Sequence, residues 1–293
     1  MKKIKLPRLE NKKPLYFVAS SGSLRSCGIE FYPYHLVSVE GINQDDIDFI
    51  KSTPREDLKI ILDSGAFSFI NARCQELDIP LNQWRNYFVN NFSLSDSKFI
   101  ALLNKYVNYV NQLSDRVEFY IELDIGDHTS KREIRTLLES EYGLHPVPVY
   151  HYLVDSAEYL YELVDTYDYL CIGNMVRYRD ASSTDDLIGI LENIKRRKPK
   201  IWIHSLGMGS SSLGFADSLP EFLDSYDSSN VLFLSRFGMH STMTLSGAVN
   251  TYDIRNIDSH CSCLHYVPCL DYLSCSINRE MYISCISDLI NFT

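Results

Sequence analysis

The feature that most constrains this chain is an alternation of short β-forming runs with segments of helical spacing. Eight runs rich in β-branched and aromatic residues recur along it. They are LYFVAS (15–20), LVSV within HLVSVE, KIIL (59–62), EFYIELD (118–124), VPVYH (147–151), YLCI (169–172), KIWIH (200–204) and EFLDSY (221–226). Between them, Phe99, Leu103, Tyr106, Val110 and Leu113 fall on one helical face. DSAEYLYELVDTY and TDDLIGILENIKRR also read as helices, each opening on an Asp or Thr suited to N-capping. Strand–helix alternation implies a parallel sheet, and eight repeats imply closure into an α/β (β/α)8 TIM barrel. An open doubly wound sheet is the competing arrangement.

The predicted organisation is a basic N-terminal arm at 1–14, a barrel at 15–230, and an appended Cys-rich segment at 231–293. The third connection, 68–117, is longer than the others, as lids or binding elements tend to be. A chain of 293 residues with 45% hydrophobic and 23% charged residues has the make-up of a globular protein. No run approaches the roughly 20 apolar residues of a membrane span. The basic start, MKKIKLPRLENKK, is followed by no apolar stretch of a secretory signal, so a cytoplasmic location is expected, with no membrane partner.

In a parallel barrel, chemistry gathers at the C-terminal ends of the strands. Asp63 follows KIIL, Asp124 ends EFYIELD, and His151 ends VPVYH. Gly173 and Asn174 follow YLCI, His204 ends KIWIH, and Asp227 follows EFLDSY. Three carboxylates and two histidines are thus expected on one rim, each from a different strand. The plainer alternative is that these are ordinary turn formers.

The segment LDSGAFS resembles the Asp-Ser-Gly-Gly-Phe motif of the tRNA-guanine transglycosylases. It is closer to the Asp-Ser-Gly-Ala-Phe form of their shorter phage and bacterial relatives, which insert 7-deazaguanines into DNA. SYDSSNVLFLSRFG resembles those relatives' Asp-Ser-x-Ser-Trp stretch followed by Arg-x-Gly, and GNMV and HSLGMG resemble their glycine-bearing loops. The likeness runs in order over roughly residues 15–240. Two departures stand out: Asn230 and Val231 follow Ser229 where a Trp is expected, and Ala66-Phe67-Ser68 replaces Gly-Phe-Gln.

The resemblance implies replacement of guanine in DNA by a 7-deazaguanine derivative. Asp227 would be the nucleophile at C1′, and Asp63 the acid/base partner. Asp124 would recognise the base and Phe67 would stack on it. Ser64, His151, Gly173, Leu206 and Gly207 would line the pocket. Exchange with retention needs two inversions, hence one carboxylate that bonds covalently to the sugar and a second group that moves protons. The implied partners are DNA, or tRNA, and a free 7-deazaguanine base; a second copy or a helper protein is left open. For a phage-encoded enzyme the location would be the host cytoplasm. No organic cofactor is implied.

Other functional classes remain: a tRNA-guanine transglycosylase, a carboxylate-dependent nucleoside or glycoside hydrolase, or a non-catalytic barrel that binds nucleic acid or protein. The net charge of −10 does not favour a polyanionic partner, but phosphate contacts need only a local basic face. Lys195, Arg196, Arg197, Lys198 and Lys200 form one candidate face, and the lysines and arginines of the N-terminal arm another.

Five of the eight cysteines lie between 261 and 285. In the resembled tRNA enzymes a zinc-binding Cys cluster follows the nucleophile. By that likeness Cys261, Cys263 and Cys269, with Cys275 or His265 as fourth ligand, would hold a structural zinc. Buried free thiols are the alternative. Cys27, Cys74 and Cys171 are isolated and read as packing residues.

Overall fold

The computed structural model describes residues 14–20, 32–54, 58–80, 83–174, 181–207, 222–229, 239–243 and 249–253. Eight strands form one curled, all-parallel sheet in the order β4-β3-β2-β1-β8-β7-β6-β5, a TIM-like arrangement. They are β1 (Leu15–Ser20), β2 (Tyr34–Ser38), β3 (Lys59–Asp63), β4 (Phe119–Tyr120), β5 (Val149–His151), β6 (Tyr169–Gly173), β7 (Trp202–Ser205) and β8 (Ser225–Ser228). The ends of this sheet are joined just beyond β4 by a parallel bridge between Ile121 and Val147. Two hydrogen bonds accompany it: Val147 N donates to Tyr120 O (2.9 Å) and Glu122 N to Val147 O (3.0 Å).

Side-chain parity explains the layering. Leu15 and Phe17, Leu36, Ile61, Phe119 and Ile121, Val147 and Val149, Cys171 and Trp202 pack together on the inner face. Their neighbours one residue along point outward. Tyr16, Val18, Leu170, Ile172 and Ile203 meet the helices α6 (Ala157–Thr166) and α7 (Ala181–Arg197). Val37, Val39, Ile60 and Leu62 meet the helices α1 (Gln44–Ser52), α2 (Ala66–Glu76), α4 (Ser97–Leu113) and α5 (His128–Tyr142). The period of two is what allows a strand buried on both faces to serve two cores.

The 68–117 connection holds most of α2, then α3 (Trp84–Asn91) and α4. The helical face predicted for α4 is buried at Phe99, Leu103, Tyr106, Val110 and Leu113, and Tyr106 Oη donates to Ile121 O at 2.8 Å. Each such apolar side chain contributes about 1.5–3 kcal/mol by leaving water. The part of the long connection that α4 forms is therefore a load of ordinary core and not a lid.

Several boundaries differ from those the sequence suggests. EFYIELD pairs as a strand only at Phe119–Tyr120, and EFLDSY gives way to a strand at Ser225–Ser228. The polar run SYDS carries no hydropathy signal; its ladder to β1 is a main-chain matter, with Phe17 opposite Asp227. Asp227 consequently lies within β8, not after it. Ser156 caps α6 through its bond from Tyr159 N, leaving Asp155 for other work, and α7 begins at Ala181, ahead of Thr184. Beyond the sheet, β9 (Met239–Met243) and β10 (Val249–Asp253) form an antiparallel pair in the segment expected to be appended. Among the described residues, no helix is long and apolar enough to cross a membrane.

Candidate functional site

Inner-face parity carries directly into the site. Asp63 stands two residues beyond Ile61, His151 two beyond Val149, Gly173 two beyond Cys171, His204 two beyond Trp202, and Asp227 two beyond Ser225. Each therefore continues the inner row of its strand toward the C-terminal end. Register agrees: Ser38 is opposite Asp63, His151 opposite Gly173, and His204 opposite Ser225. Asp124 joins them from the segment following β4.

The three carboxylates occupy different electrostatic settings. Burial pushes Asp63 up to about 7, and the negative charges of Asp124 and Asp227 push in the same direction, against hydrogen bonds from Gly65 N and the Ser38 hydroxyl. The Gly65 N–H donates to Asp63 Oδ2 at 3.0 Å. That amide is presented by a left-handed residue (φ +78°), whose missing side chain would collide with Glu40 Cγ at 2.8 Å. The glycine of LDSGAFS is thus required twice over, by backbone conformation and by space.

Asp227 is almost completely buried. Its Oδ1 accepts from Gly207 N (3.1 Å) and faces His204 Nε2 at 3.2 Å. On its other side, His204 Nδ1 lies 2.8 Å from Ser225 Oγ, which itself accepts from Trp202 Nε1 at 3.0 Å. Because the indole can only donate, the Ser225 hydroxyl proton is free to point at Nδ1, leaving Nε2–H for Asp227. Among the described residues, no donor holds the second oxygen, Oδ2.

Asp124 Oδ2 accepts from His151 Nε2 at 2.8 Å. Burial pushes its carboxyl up, but the hydrogen bond from His151, the charge that ring carries only when protonated, and the Lys131 charge outweigh this, so it lies below its ordinary value. His151 is also shifted down, by burial first and then by Lys131, against the pull of Asp124 and Asp155. The pair is therefore an anionic carboxylate beside a neutral imidazole.

The remaining predicted residues divide. Gly207 lies against the site, but its amide serves Asp227, and Leu206 packs partly on the inner core. Gly173 leaves room for an imidazole: a Cβ there would sit 2.7 Å from His151 Cδ2. Ser64 is wholly buried, and its hydroxyl oxygen accepts from Ala66 N at 3.4 Å. Phe67 is 63% exposed on the first turn of α2.

The basic run is not brought to the carboxylates. It ends α7 and leads into β7, which places it at the N-terminal ends of the strands, opposite the site. Lys195 pairs with Asp224 (2.7 Å), Arg197 with Asp165, and Lys198 with Asp168 (2.9 Å), while Arg196 donates to Asn193. Three of the five cations expected on phosphate are thus engaged by the protein's own carboxylates, and Lys200 ends the same turn. The N-terminal arm, Cys27 and the proposed zinc ligands Cys261, Cys263, His265, Cys269 and Cys275 lie outside the described residues. Cys74 and Cys171 are buried free thiols, as expected.

Sequence reasoning missed Lys131 and Asp155. Both look like solvated helix charges in the sequence, yet both are buried beneath His151. Compared with known proteins, the chain matches no family model, and no curated protein is significantly similar to it.

The Gly173 contact yields a clear expectation. Gly173→Ala should destabilise the protein by about 1–3 kcal/mol, because the methyl and the His151 ring claim one space. In a His151→Ala background the same change should cost distinctly less. Urea unfolding of the four proteins measures this coupling; equal costs in both backgrounds would show that the ring does not need the glycine.

Proposed function

We propose that this protein is a (β/α)8 transglycosylase that replaces guanine in DNA with a 7-deazaguanine derivative. The observation that carries the reading is the division of labour among three neighbouring carboxylates. One is poised near neutrality, one is kept anionic by a neutral histidine, and one is buried with a single oxygen tied down.

Asp227 attacks C1′ through Oδ2, forming a glycosyl ester as the C1′–N9 bond breaks. His204 and Gly207 hold Oδ1 and so fix the carboxylate plane. A carboxyl near 7 is neutral in about half of the molecules at neutral pH, so Asp63 can give a proton to departing guanine. The resulting Asp63 carboxylate then takes the proton of the incoming base as its nitrogen displaces Asp227 from C1′. Asp124, an anion with acceptor oxygens only, suits a ring edge made of N–H and NH2 donors, as guanine and 7-deazaguanines offer. Reaching a base in duplex DNA would require flipping it from the stack. The basic run at 195–200 faces away from this end, so phosphate contacts must come from elsewhere on the chain.

Incubation of the protein with guanine-bearing DNA, and separately tRNA, plus labelled 7-deazaguanine bases tests this directly. Label entering the polymer with stoichiometric release of guanine is expected, on DNA. Uptake into tRNA alone would reassign the acceptor. Base release without uptake would replace the transglycosylase reading with a hydrolase.

A further inference from the structure

We propose that Lys131 is a positioning residue that acts through His151 to keep Asp124 a single-state, acceptor-only recognition group. Lys131 lies in the first turn of α5 and is wholly buried, a costly place for an ammonium unless every proton is matched. Here three partners meet its three protons. Lys131 Nζ pairs with Asp155 Oδ2, donates to Val149 O at 3.1 Å, and lies 3.4 Å from His151 Nδ1. Asp155 also accepts from His151 N at 2.7 Å, holding the backbone of that residue.

An ammonium can only donate, so His151 Nδ1 must accept. The ring is then the Nε2–H tautomer, and its one proton points at Asp124 Oδ2. The groups facing His151 are Asp124 from the segment after β4, Asp155 from the turn after β5, and Lys131 from α5. The Glu122–Arg135 pair lies in the neighbouring layer (3.2 Å). Two anions beside an imidazole would ordinarily favour the imidazolium; burial opposes this first, and Lys131 adds to it at the nitrogen that would gain the proton. The consequence is a carboxylate whose charge is not cancelled by its own histidine across the neutral range. The ligand class is a planar heterocycle with adjacent N–H donors. Its identity as a deazaguanine rests on the function proposed above; the arrangement of Lys131, His151 and Asp124 does not.

Two measurements separate these dependencies. In the unliganded protein, nitrogen-15 histidine spectra should show His151 as a neutral Nε2–H tautomer from about pH 6 to about pH 8. An imidazolium or an Nδ1–H tautomer at neutral pH would overturn the proposal whatever the protein catalyses. Removing the buried charges together, as Lys131→Met with Asp155→Asn, should let His151 titrate within that window. In the exchange assay the same double variant should raise KM for the incoming base about 10- to 100-fold toward the acid side, the scale of a hydrogen bond to a charged group. Its kcat should move far less, and Lys131→Arg should recover part of the affinity. A KM that stays flat with pH in the double variant would also overturn it. Absence of exchange in the parent protein would remove the proposed function and leave the spectroscopic test standing.

Discussion

Asp227→Asn should abolish base exchange, lowering its rate by roughly 10⁴-fold or more, the scale seen when a covalent nucleophile or its essential partner is removed. The amide retains an acceptor oxygen for Gly207 N and His204, so the fold and melting temperature should change little. The decisive measurement is the adduct itself. Parent protein mixed with DNA, without incoming base, should yield a denaturant-resistant protein–DNA species that Asp227→Asn never forms. Exchange at the parental rate by the amide variant would remove Asp227 from the chemistry. An unfolding curve matching that of the parent would exclude misfolding as the cause of lost exchange.

Asp63→Asn should have the second largest effect, a loss of about 10²- to 10⁴-fold, because an amide cannot exchange protons with the departing and arriving bases. The same substitution should stabilise the fold at alkaline pH. Burial raises Asp63 in the folded protein to about 7 from an ordinary value of 3.8. Its contribution to stability is therefore complete below about pH 4 and is lost as pH rises to about 7, since the unfolded chain ionises first. Glu122, raised to about 7 chiefly by burial, works in the same direction. Asp63→Asn removes one of these penalties. Above about pH 7 the variant should gain on the order of 1–2 kcal/mol over the parent, after allowing for solvent screening at this partly open site. Below about pH 4 the gain should vanish. Thermal unfolding across that range would refute the assignment if the difference were constant, or grew toward acid. A variant that is less active and more stable is the usual signature of a group held in an unfavourable setting for function.

What the sequence made legible was what periodicity encodes. β1, β3 and β6 lie within a residue of their apolar runs, and the face of α4 was readable from Phe99 to Leu113. The inner-row residues Asp63, His151 and His204 could be placed because each ends or directly follows a recognisable apolar run. β8 was harder, since Ser225 to Ser228 form a strand by pairing with β1 and carry no apolar signature; Asp227 was found through its resemblance to a motif, and its place inside the strand was not. Charges were the least legible. Lys131, Asp155, Arg197 and Lys198 look alike in the chain, yet the first two are buried partners of a histidine and the last two pair with carboxylates near the opposite end. Nothing local distinguishes these fates, because burial of a charge is decided by residues far away in sequence.

The join between the first and last staves of the sheet has a consequence of its own. There, among the described residues, the two ends of the curled sheet meet through one bridge and two main-chain hydrogen bonds, with Val149 N donating to Glu122 Oε1 beside them, and Asp124 lies on one side while His151 lies on the other. The bond between them is therefore a clasp as well as, on the proposed function, a recognition element. On the proposed function, a heterocycle seated on that carboxylate would draw the two ends of the curled sheet together, so occupancy of the site and pairing at this seam would rise and fall together.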